Sequence, residues 1–225
     1  NGAYIAQQLV NLGIDSYFQS VVGDNKERLK GTLELALSRS DIVILSGGLG
    51  PTQDDLTKEI VSEYMGAKMY QDAQVVKDLE DFFRQRGRIM TENNLKQSYL
   101  PAECTPFYNS SGTAPGFALE KNGKIAICFP GPPREMKWVY ETCAKEYLER
   151  LVDKKMYYRV IRTIGIGESD LETLLLPFID GQTDPTIATY AKEGECTFRV
   201  ASQRTTVEEA KVAVDNLIEK IDKYY

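Results

Sequence analysis

A short apolar segment, followed by a glycine-rich turn and the start of a helix, most constrains the fold of this chain. Residues Asp41–Leu45 are almost continuously aliphatic, which is typical of a strand buried on both faces of a sheet. Helical patterns flank this strand, so the sequence predicts an α/β fold with a doubly wound, mostly parallel sheet. In such sheets ligands bind beyond the carboxyl ends of the strands, and the turn Ser46–Thr52 lies at such an end.

This turn contains three glycines and one proline, more than a plain strand-to-helix connection requires. Glycine lets the backbone come close to a ligand, and successive N–H groups before a helix can bind phosphate oxygens. The turn therefore predicts a phosphate or nucleotide site. The residues that we assign to it are Ser46, Gly47, Gly48, Gly50 and Thr52.

Two carboxylates, Asp54 and Asp55, follow the turn directly. They would repel a bound phosphate unless a cation lay between them, so we predict a divalent metal, Mg²⁺, held by both residues, and a catalytic role for both. An alternative stays open, because Thr52 and Asp55 also fit a capping box that merely starts a helix.

Three further segments carry candidate binding residues. The proline-rich joint Pro130–Glu135 follows a predicted strand, the loop Ser110–Gly116 is rich in small residues, and a helix is predicted to begin at Thr91. Each has a structural alternative: a stiff strand-to-helix joint, a surface loop and a solvated amide, respectively. The binding residues predicted in them are Asn94, Ser111, Gly112, Thr113, Gly131 and Arg134.

Composition excludes several classes of protein. The 225 residues include no histidine, so Ser-His-Asp and Cys-His catalysis is excluded on this chain. The net charge of −6 argues against nucleic-acid binding, and no apolar run approaches the roughly 20 residues of a membrane span. Four widely spaced cysteines predict a reducing, cytoplasmic setting, with Cys128 and Cys196 as buried thiols.

The chain divides into two predicted domains, residues 1–152 and residues 156–225. From residue 156 the pattern of apolar residues predicts, in order, a strand, a helix, two strands and a helix, which together indicate a small α+β domain. We also predict a strand at Asp15–Val22 and hairpin turns at Asn122–Gly123 and Lys192–Glu195. Because a predicted amphipathic helix begins at residue 1, we expect a strand and loop to precede Asn1.

Four ordered motifs resemble the competence/damage-inducible protein CinA family. They are Gly47–Thr57, Thr91–Asn94, Gly112–Gly116 and Pro130–Pro133. Residues 1–152 resemble its molybdopterin-binding-like (MoaB/MogA-type) domain. Residues 156–225, with Gly165–Ser169 and Gln182–Pro185, resemble its KH-like domain. The family's first strand and its Gly-Thr-Glu loop would precede Asn1, and its nicotinamide mononucleotide deamidase domain would follow residue 225, so no deamidase activity is predicted.

The resemblance implies metal-dependent ADP-ribose pyrophosphatase activity, with a small-molecule nucleotide or pterin phosphate as ligand and a homodimer by analogy. Molybdopterin adenylyltransferases usually carry arginine at the position of Asp54, so Asp54 favours the pyrophosphatase. Two alternatives stay open: a molybdopterin-type binding or adenylyl-transfer domain, and a non-catalytic nucleotide-binding module. Residues 154–225 contain more acidic than basic side chains, which argues against nucleic-acid binding by the KH-like domain.

Overall fold

In the computed structural model of the chain, residues 1–192 and 195–224 are described. By its contacts the chain divides into two compact units, one formed by Asn1–Tyr4 with Tyr17–Tyr147 and the other by Ile5–Ser16 with Leu148–Tyr225. The linear limits that the sequence suggested, 1–152 and 156–225, stay a prediction.

The first unit is built on a four-stranded sheet in the order β1-β6-β5-β4. Its strands are β1 (Ile42–Ser46), β2 (Met69–Gln71), β3 (Tyr99–Pro101), β4 (Thr105–Phe107), β5 (Gly116–Lys121) and β6 (Lys124–Phe129). The sheet is mixed, since β1 and β6 are parallel whereas the β6–β5 and β5–β4 pairs are antiparallel. Strands β2 and β3 form a separate antiparallel ribbon.

The helices of the first unit are α2 (Lys26–Arg39), α3 (Thr57–Met65), α4 (Ala73–Gln85), a 3₁₀ helix (Glu92–Ser98), α5 (Pro133–Val139) and a π turn (Tyr140–Ala144). Helices α1 (Gly2–Leu12) and α6 (Lys145–Glu149) have residues in both units. The α/β class predicted for the first domain is confirmed, whereas the sheet, predicted to be mostly parallel, has one parallel and two antiparallel pairs among the described strands. The predicted hairpin is also confirmed, because Asn122 and Gly123 join β5 to β6 with φ values of 54° and 72°, as a tight hairpin turn requires.

One apolar core fixes the strands relative to the helices. Leu33 and Leu37 of α2, Ile60 and Val61 of α3, and Val75 and Leu79 of α4 pack with buried residues of β5 and β6. Full burial of each such side chain contributes about 1.5–3 kcal/mol. The carboxyl ends of β1 and β6, and the start of α3, are therefore held in place by a rigid core.

Two local predictions were wrong. Residues 15–22 pair with no strand among the described residues, and Tyr17 and Val21 are exposed. Without a neighbouring strand, the β-branched and aromatic side chains of this segment have no cross-strand partners to stabilise a β-strand. The Phe18 ring instead packs against the Arg39 guanidinium, whose carbon lies 3.7 Å from the ring centroid. The helix expected directly after the glycine turn begins only at Thr57, because the preceding residues form a turn of their own.

The second unit contains β7 (Lys155–Thr163), α7 (Glu168–Ile179), β8 (Thr186–Lys192), β9 (Glu195–Arg204) and α8 (Val207–Tyr224). This order confirms the predicted small α+β fold. The antiparallel sheet has the order β7-β9-β8, and apolar residues of both helices pack on it. The turn predicted at Lys192–Glu195 includes residues 193–194, which lie outside the described residues. Across the described ranges, no helix combines the length and apolarity that crossing a membrane requires.

Candidate functional site

The turns that follow β1 and β6 lie side by side, because these strands are parallel and Ser46 pairs with Phe129. Gly47 N–H donates to the Phe129 carbonyl at 2.9 Å, and Ser46 Oγ donates to the Pro130 carbonyl at 3.3 Å. A β-carbon placed on Gly131 would lie 3.4 Å from Gly47 Cα. The structure thus brings together two of the predicted binding segments, with backbone facing backbone.

Asn1 joins these two turns, and sequence reasoning missed this role. Its side-chain amide donates to Ser46 Oγ and to the Gly131 carbonyl, both at 2.7 Å. In the sequence, Asn1 is only a polar residue at the start of a predicted helix. A contact across 130 sequence positions leaves no local signal in the pattern.

Glycine is required in the turn after β1. Gly47 and Gly48 have φ values of 102° and 71°, a region that other residues adopt only with strain. A β-carbon at Gly48 would overlap the Thr57 hydroxyl, and Thr57 N–H donates to the Gly48 carbonyl at 3.1 Å. The glycine turn therefore packs closely on the start of α3.

Asp55 closes a small turn just before α3. Thr52 N–H and Thr52 Oγ donate to Asp55 Oδ2 at 2.9 and 2.6 Å. Partial burial raises the pKa of this carboxyl, but hydrogen bonds from Thr52 and Gly50 and the charge of Lys96 outweigh it and leave the pKa below its ordinary value. Asp55 is therefore ionised, as a metal ligand must be. Asp54, beside it, is exposed.

This geometry refines the open alternative of a capping box. The Thr52–Asp55 contact exists, but α3 begins two residues later, at Thr57, so the pair stabilises the loop rather than the helix end. Among the described residues, no three His, Cys, Asp or Glu side chains cluster as a metal cage. Asp54 and Asp55 would need water and phosphate oxygens to complete a Mg²⁺ shell, which is how Mg²⁺ is usually bound.

Two lysines that the sequence did not single out support this acidic loop. Lys96, on the 3₁₀ helix, donates to the carbonyls of Thr52 and Asp55 at 2.7 and 2.5 Å. Lys58 is 2% exposed and donates to the Lys96 carbonyl. Burial lowers the pKa of Lys58 to about 8. No periodicity distinguishes either lysine from a solvated one.

Asn94 has a local role at the start of the 3₁₀ helix. Thr91 N–H and Thr91 Oγ donate to Asn94 Oδ1 at 3.0 and 2.8 Å, so its amide oxygen closes the first turn. Two positions further along, Lys96 contacts the acidic loop. The nucleotide-binding role of Asn94 stays a prediction.

The loop with Ser111, Gly112 and Thr113 is fastened to both neighbouring segments. Gln97 donates to Thr113 Oγ at 3.0 Å, and Ser111 N–H donates to Asn109 Oδ1 at 3.0 Å. The Asn109 amide in turn donates to Glu135 Oε2 at 2.7 Å. Gly112 and Thr113 also line a small groove against Val75, Asp78 and Leu79 of α4.

The predicted binding segments thus share one end of the first unit. Asn1 connects the glycine turn to Gly131, and the Asn109–Glu135 contact connects the segment after Gly131 to the 109–114 loop. The 3₁₀ helix contacts both the turn that carries Asp55 and the 109–114 loop. Arg134 is exposed at the start of α5. The arrangement places the glycine turn, several hydroxyl groups and two carboxylates at the edge of a sheet.

Comparison with known proteins identifies the family. Residues 1–150 match the family model "Probable molybdopterin binding domain", and residues 158–224 match "Damage-inducible protein CinA KH domain". The chain belongs to the CinA family. The chain is 47% identical over 221 residues to a "Putative competence-damage inducible protein" of Caldicellulosiruptor saccharolyticus, covering 98% of this chain and 54% of that protein.

Two further similarities agree with this assignment. A "CinA-like protein" of Dictyoglomus turgidum is 46% identical over 223 residues, which is 99% of this chain and 54% of that protein. The crystal structure of "the protein CinA with unknown function" from Thermoplasma acidophilum is 32% identical, with a TM-score of 0.59, over 65% of this chain and 86% of that one. The chain spans about half the length of the curated relatives that it matches.

Proposed function

We propose that this CinA-family chain binds ADP-ribose or a related nucleoside diphosphate sugar beyond β1 and β6 and hydrolyses its pyrophosphate with Mg²⁺. The observation that carries the proposal is the contact between the Gly47 and Gly131 turns, with Asp54 and Asp55 further along the same loop as Gly47, and with Asp55 packed against Gly50. Backbone N–H groups at a sheet edge suit phosphate oxygens, whereas the adjacent carboxylates suit a cation that neutralises the same ligand.

The residues have distinct parts in this proposal. The Gly47–Gly50 backbone and the start of α3 hold one phosphate, and Gly131 with Ser111–Thr113 forms the wall around the ligand. Asp55, together with Asp54, holds Mg²⁺ directly or through water. When bound, Mg²⁺ would offset the charge of the pyrophosphate and lower the pKa of a water molecule. The depressed pKa of Asp55 supports this assignment because it keeps the carboxylate charged.

An Asp55→Asn variant tests the proposal. The asparagine oxygen can still accept both hydrogen bonds from Thr52, so the turn should persist and stability should fall by no more than about 1 kcal/mol. The charge that a cation needs is gone, and we expect ADP-ribose hydrolysis to fall about 100-fold or more. Hydrolysis is measured across a Mg²⁺ titration, and folding by urea unfolding.

Asp81→Asn is the matched control. Asp81 lies on α4 and pairs with Arg84, so this variant removes one carboxylate from the same unit and should retain parental turnover. If Asp55→Asn is folded and hydrolyses ADP-ribose with parental rate and Mg²⁺ dependence, the catalytic and metal roles of Asp55 are wrong.

A second candidate is binding or adenylylation of a pterin phosphate, favoured by the match of residues 1–150 to a molybdopterin binding domain model. This function would use the same phosphate site, but the part of the ligand beyond the phosphate would be a pterin and not a nucleoside. Calorimetric titration distinguishes the two: saturable binding of a pterin phosphate, with no ADP-ribose turnover by the parent protein, would select this candidate.

A non-catalytic nucleotide-binding module is the third candidate, and one contact favours it. Asp55 Oδ2 already accepts two hydrogen bonds from Thr52, so part of the carboxylate stabilises the protein itself. ADP-ribose binding without turnover at any Mg²⁺ concentration would support this module.

We place the reaction in the cytoplasm, and the unpaired state of the four described cysteines supports a reducing compartment. Burial raises the pKa of the Cys128 thiol, so that cysteine is inert. A homodimer, which light scattering would detect, is part of the same proposal.

A further inference from the structure

The ammonium group of Lys96 lies among oxygens of the acidic loop. Its Nζ donates to the Thr52 carbonyl at 2.7 Å and to the Asp55 carbonyl at 2.5 Å, and it lies 3.7 Å from Glu59 Oε1. These two carbonyls bracket the turn that contains Asp54. One side chain from another element therefore fixes both ends of the segment that carries the two carboxylates.

The 3₁₀ helix that carries Lys96 is itself held firmly. Gln97 and Ser98 are 2% and 0% exposed, and Ser98 Oγ donates to the Leu95 carbonyl at 2.7 Å. Lys58, buried at the start of α3, donates to the Lys96 carbonyl. Lys96 thus acts from a rigid support, and not from a mobile surface loop.

The same helix also sets the position of the opposite wall. Gln97 Nε2 donates to Thr113 Oγ at 3.0 Å, one residue after Lys96 contacts the acidic turn. Neighbouring residues of one helix therefore hold the carboxylate turn on one side and the Ser111–Thr113 loop on the other. The spacing between these two segments depends on the 3₁₀ helix.

We infer that Lys96 is a positioning residue: its ammonium group fixes the backbone of the Thr52–Asp55 turn, so that Asp54 and Asp55 stay beside a ligand held by the glycine turn. The kinetic part of this inference rests on the proposed function, whereas the ordering of the turn does not. Lys96 contacts backbone oxygens rather than the substrate, so its effect on the reaction is transmitted through the carboxylates.

Lys96→Met tests the inference. The methionine fills similar space but leaves the two carbonyls without their donor, so the turn can move. We expect kcat for ADP-ribose to fall about 100-fold, since a displacement of about 1 Å at a reacting group has that cost. KM should stay at its parental value, because the glycine turns still bind phosphate. The Mg²⁺ concentration for half-maximal rate should rise about tenfold.

Two further variants complete the design. Lys96→Arg retains a cation with several N–H donors and should restore most of the rate. Lys30→Met is the matched control, because Lys30 on α2 pairs with Glu63 on α3 at 3.1 Å and does not contact the acidic turn. Its kinetics should equal those of the parent protein.

Hydrogen exchange of the amides in residues 52–56 separates the two proposals. We expect exchange in Lys96→Met to be about tenfold faster there than in Lys30→Met. If Lys96→Met has the same amide exchange, kcat and Mg²⁺ requirement as the parent protein, the inference about Lys96 is wrong, but the proposal of ADP-ribose hydrolysis is unaffected. If the parent protein does not hydrolyse ADP-ribose, the proposed function fails, and exchange alone decides: faster exchange supports the positioning role, and unchanged exchange refutes it. Lys96→Gln, which retains an amide N–H donor group but no charge, replaces Lys96→Met if the latter shows no cooperative unfolding.

Discussion

The carboxylate of Glu135 occupies the space that a side chain at Gly112 would need. A β-carbon on Gly112 would overlap both carboxylate oxygens, and Glu135 Oε2 accepts a hydrogen bond of 2.7 Å from Asn109. Asn109 is 9% exposed and also donates to the Ala114 carbonyl. Glycine at position 112 therefore lets the start of α5 hold the loop that bears Ser111 and Thr113.

A Gly112→Ala variant should be less stable than the parent protein. The methyl group displaces the Glu135 carboxylate, so Asn109 loses a charge-assisted partner, at a cost of about 1.5–3 kcal/mol. Urea unfolding measures the difference. Adding Glu135→Ala should make the effect of Gly112→Ala smaller, because the clash is then absent.

Gly31→Ala is the control for this substitution. Gly31 lies within α2, and among the described residues its added β-carbon would meet no atom within 4 Å apart from its chain neighbours and the backbone of its own helix. Alanine is favoured over glycine in a helix, so this variant should gain about 0.5–1 kcal/mol. A Gly112→Ala variant that unfolds like the parent protein would show that Glu135 can move without loss.

Gly131 offers a test of ligand approach that leaves the fold intact. A β-carbon there would lie 3.4 Å from Gly47 Cα, an ordinary van der Waals contact, so Gly131→Ala should fold with nearly parental stability. The methyl group would nevertheless stand between the two turns where we propose that phosphate binds. We expect ADP-ribose to bind about 10- to 100-fold more weakly, as measured by calorimetric titration.

Gly48→Ala, by contrast, should lower the stability of the fold. Gly48 has a φ of 71°, and its β-carbon would overlap the Thr57 side chain, so the substitution should cost about 1–3 kcal/mol of stability.

If Gly131→Ala binds ADP-ribose as the parent protein does, the space between the two turns is not the binding site.

The parts of the molecule that local pattern determines could be predicted from the sequence. The aliphatic run before Ser46 forms β1, and Asn122–Gly123 joins β5 to β6, since the left-handed conformation of a tight turn favours these residue types. The glycine turn could be located because a chain reversal of this kind needs positive φ values. Each of these features depends on residues within a few positions of one another.

The rest of the site depends on contacts that no local pattern encodes. Asn1 contacts Ser46 and Gly131, and Lys96 contacts the turn at Thr52 and Asp55. A surface lysine and a lysine that fixes a distant backbone segment look alike in a sequence. The prediction of a strand at Asp15–Val22 was wrong for a related reason. Residues with high β-propensity form a strand only where a neighbouring strand can pair with them.

The buried ammonium group of Lys58 predicts a dependence of stability on pH. Its surroundings include Glu59, Lys96 and Asp55, yet burial has the largest effect and lowers its pKa from 10.5 to about 8. Between these two values the unfolded chain binds more protons than the folded chain, so the free energy of unfolding rises with pH. Relative to Lys58→Met, the parent protein should therefore gain about 2–3 kcal/mol between pH 8 and pH 10.5.

Urea unfolding of both proteins at pH 7, 8, 9 and 10 measures this gain, because the titration of other groups is common to both and cancels in the difference. The difference in unfolding free energy between the parent protein and Lys30→Met should change with pH in the opposite direction. The hydrogen bond between Lys30 and Glu63 raises the pKa of that exposed lysine, so any stability it contributes is lost as the pH rises through the folded-state pKa. A difference between parent and Lys58→Met that stays constant from pH 7 to pH 10 would mean that Lys58 keeps its proton, and hence that water reaches its ammonium group beside the Lys96 carbonyl.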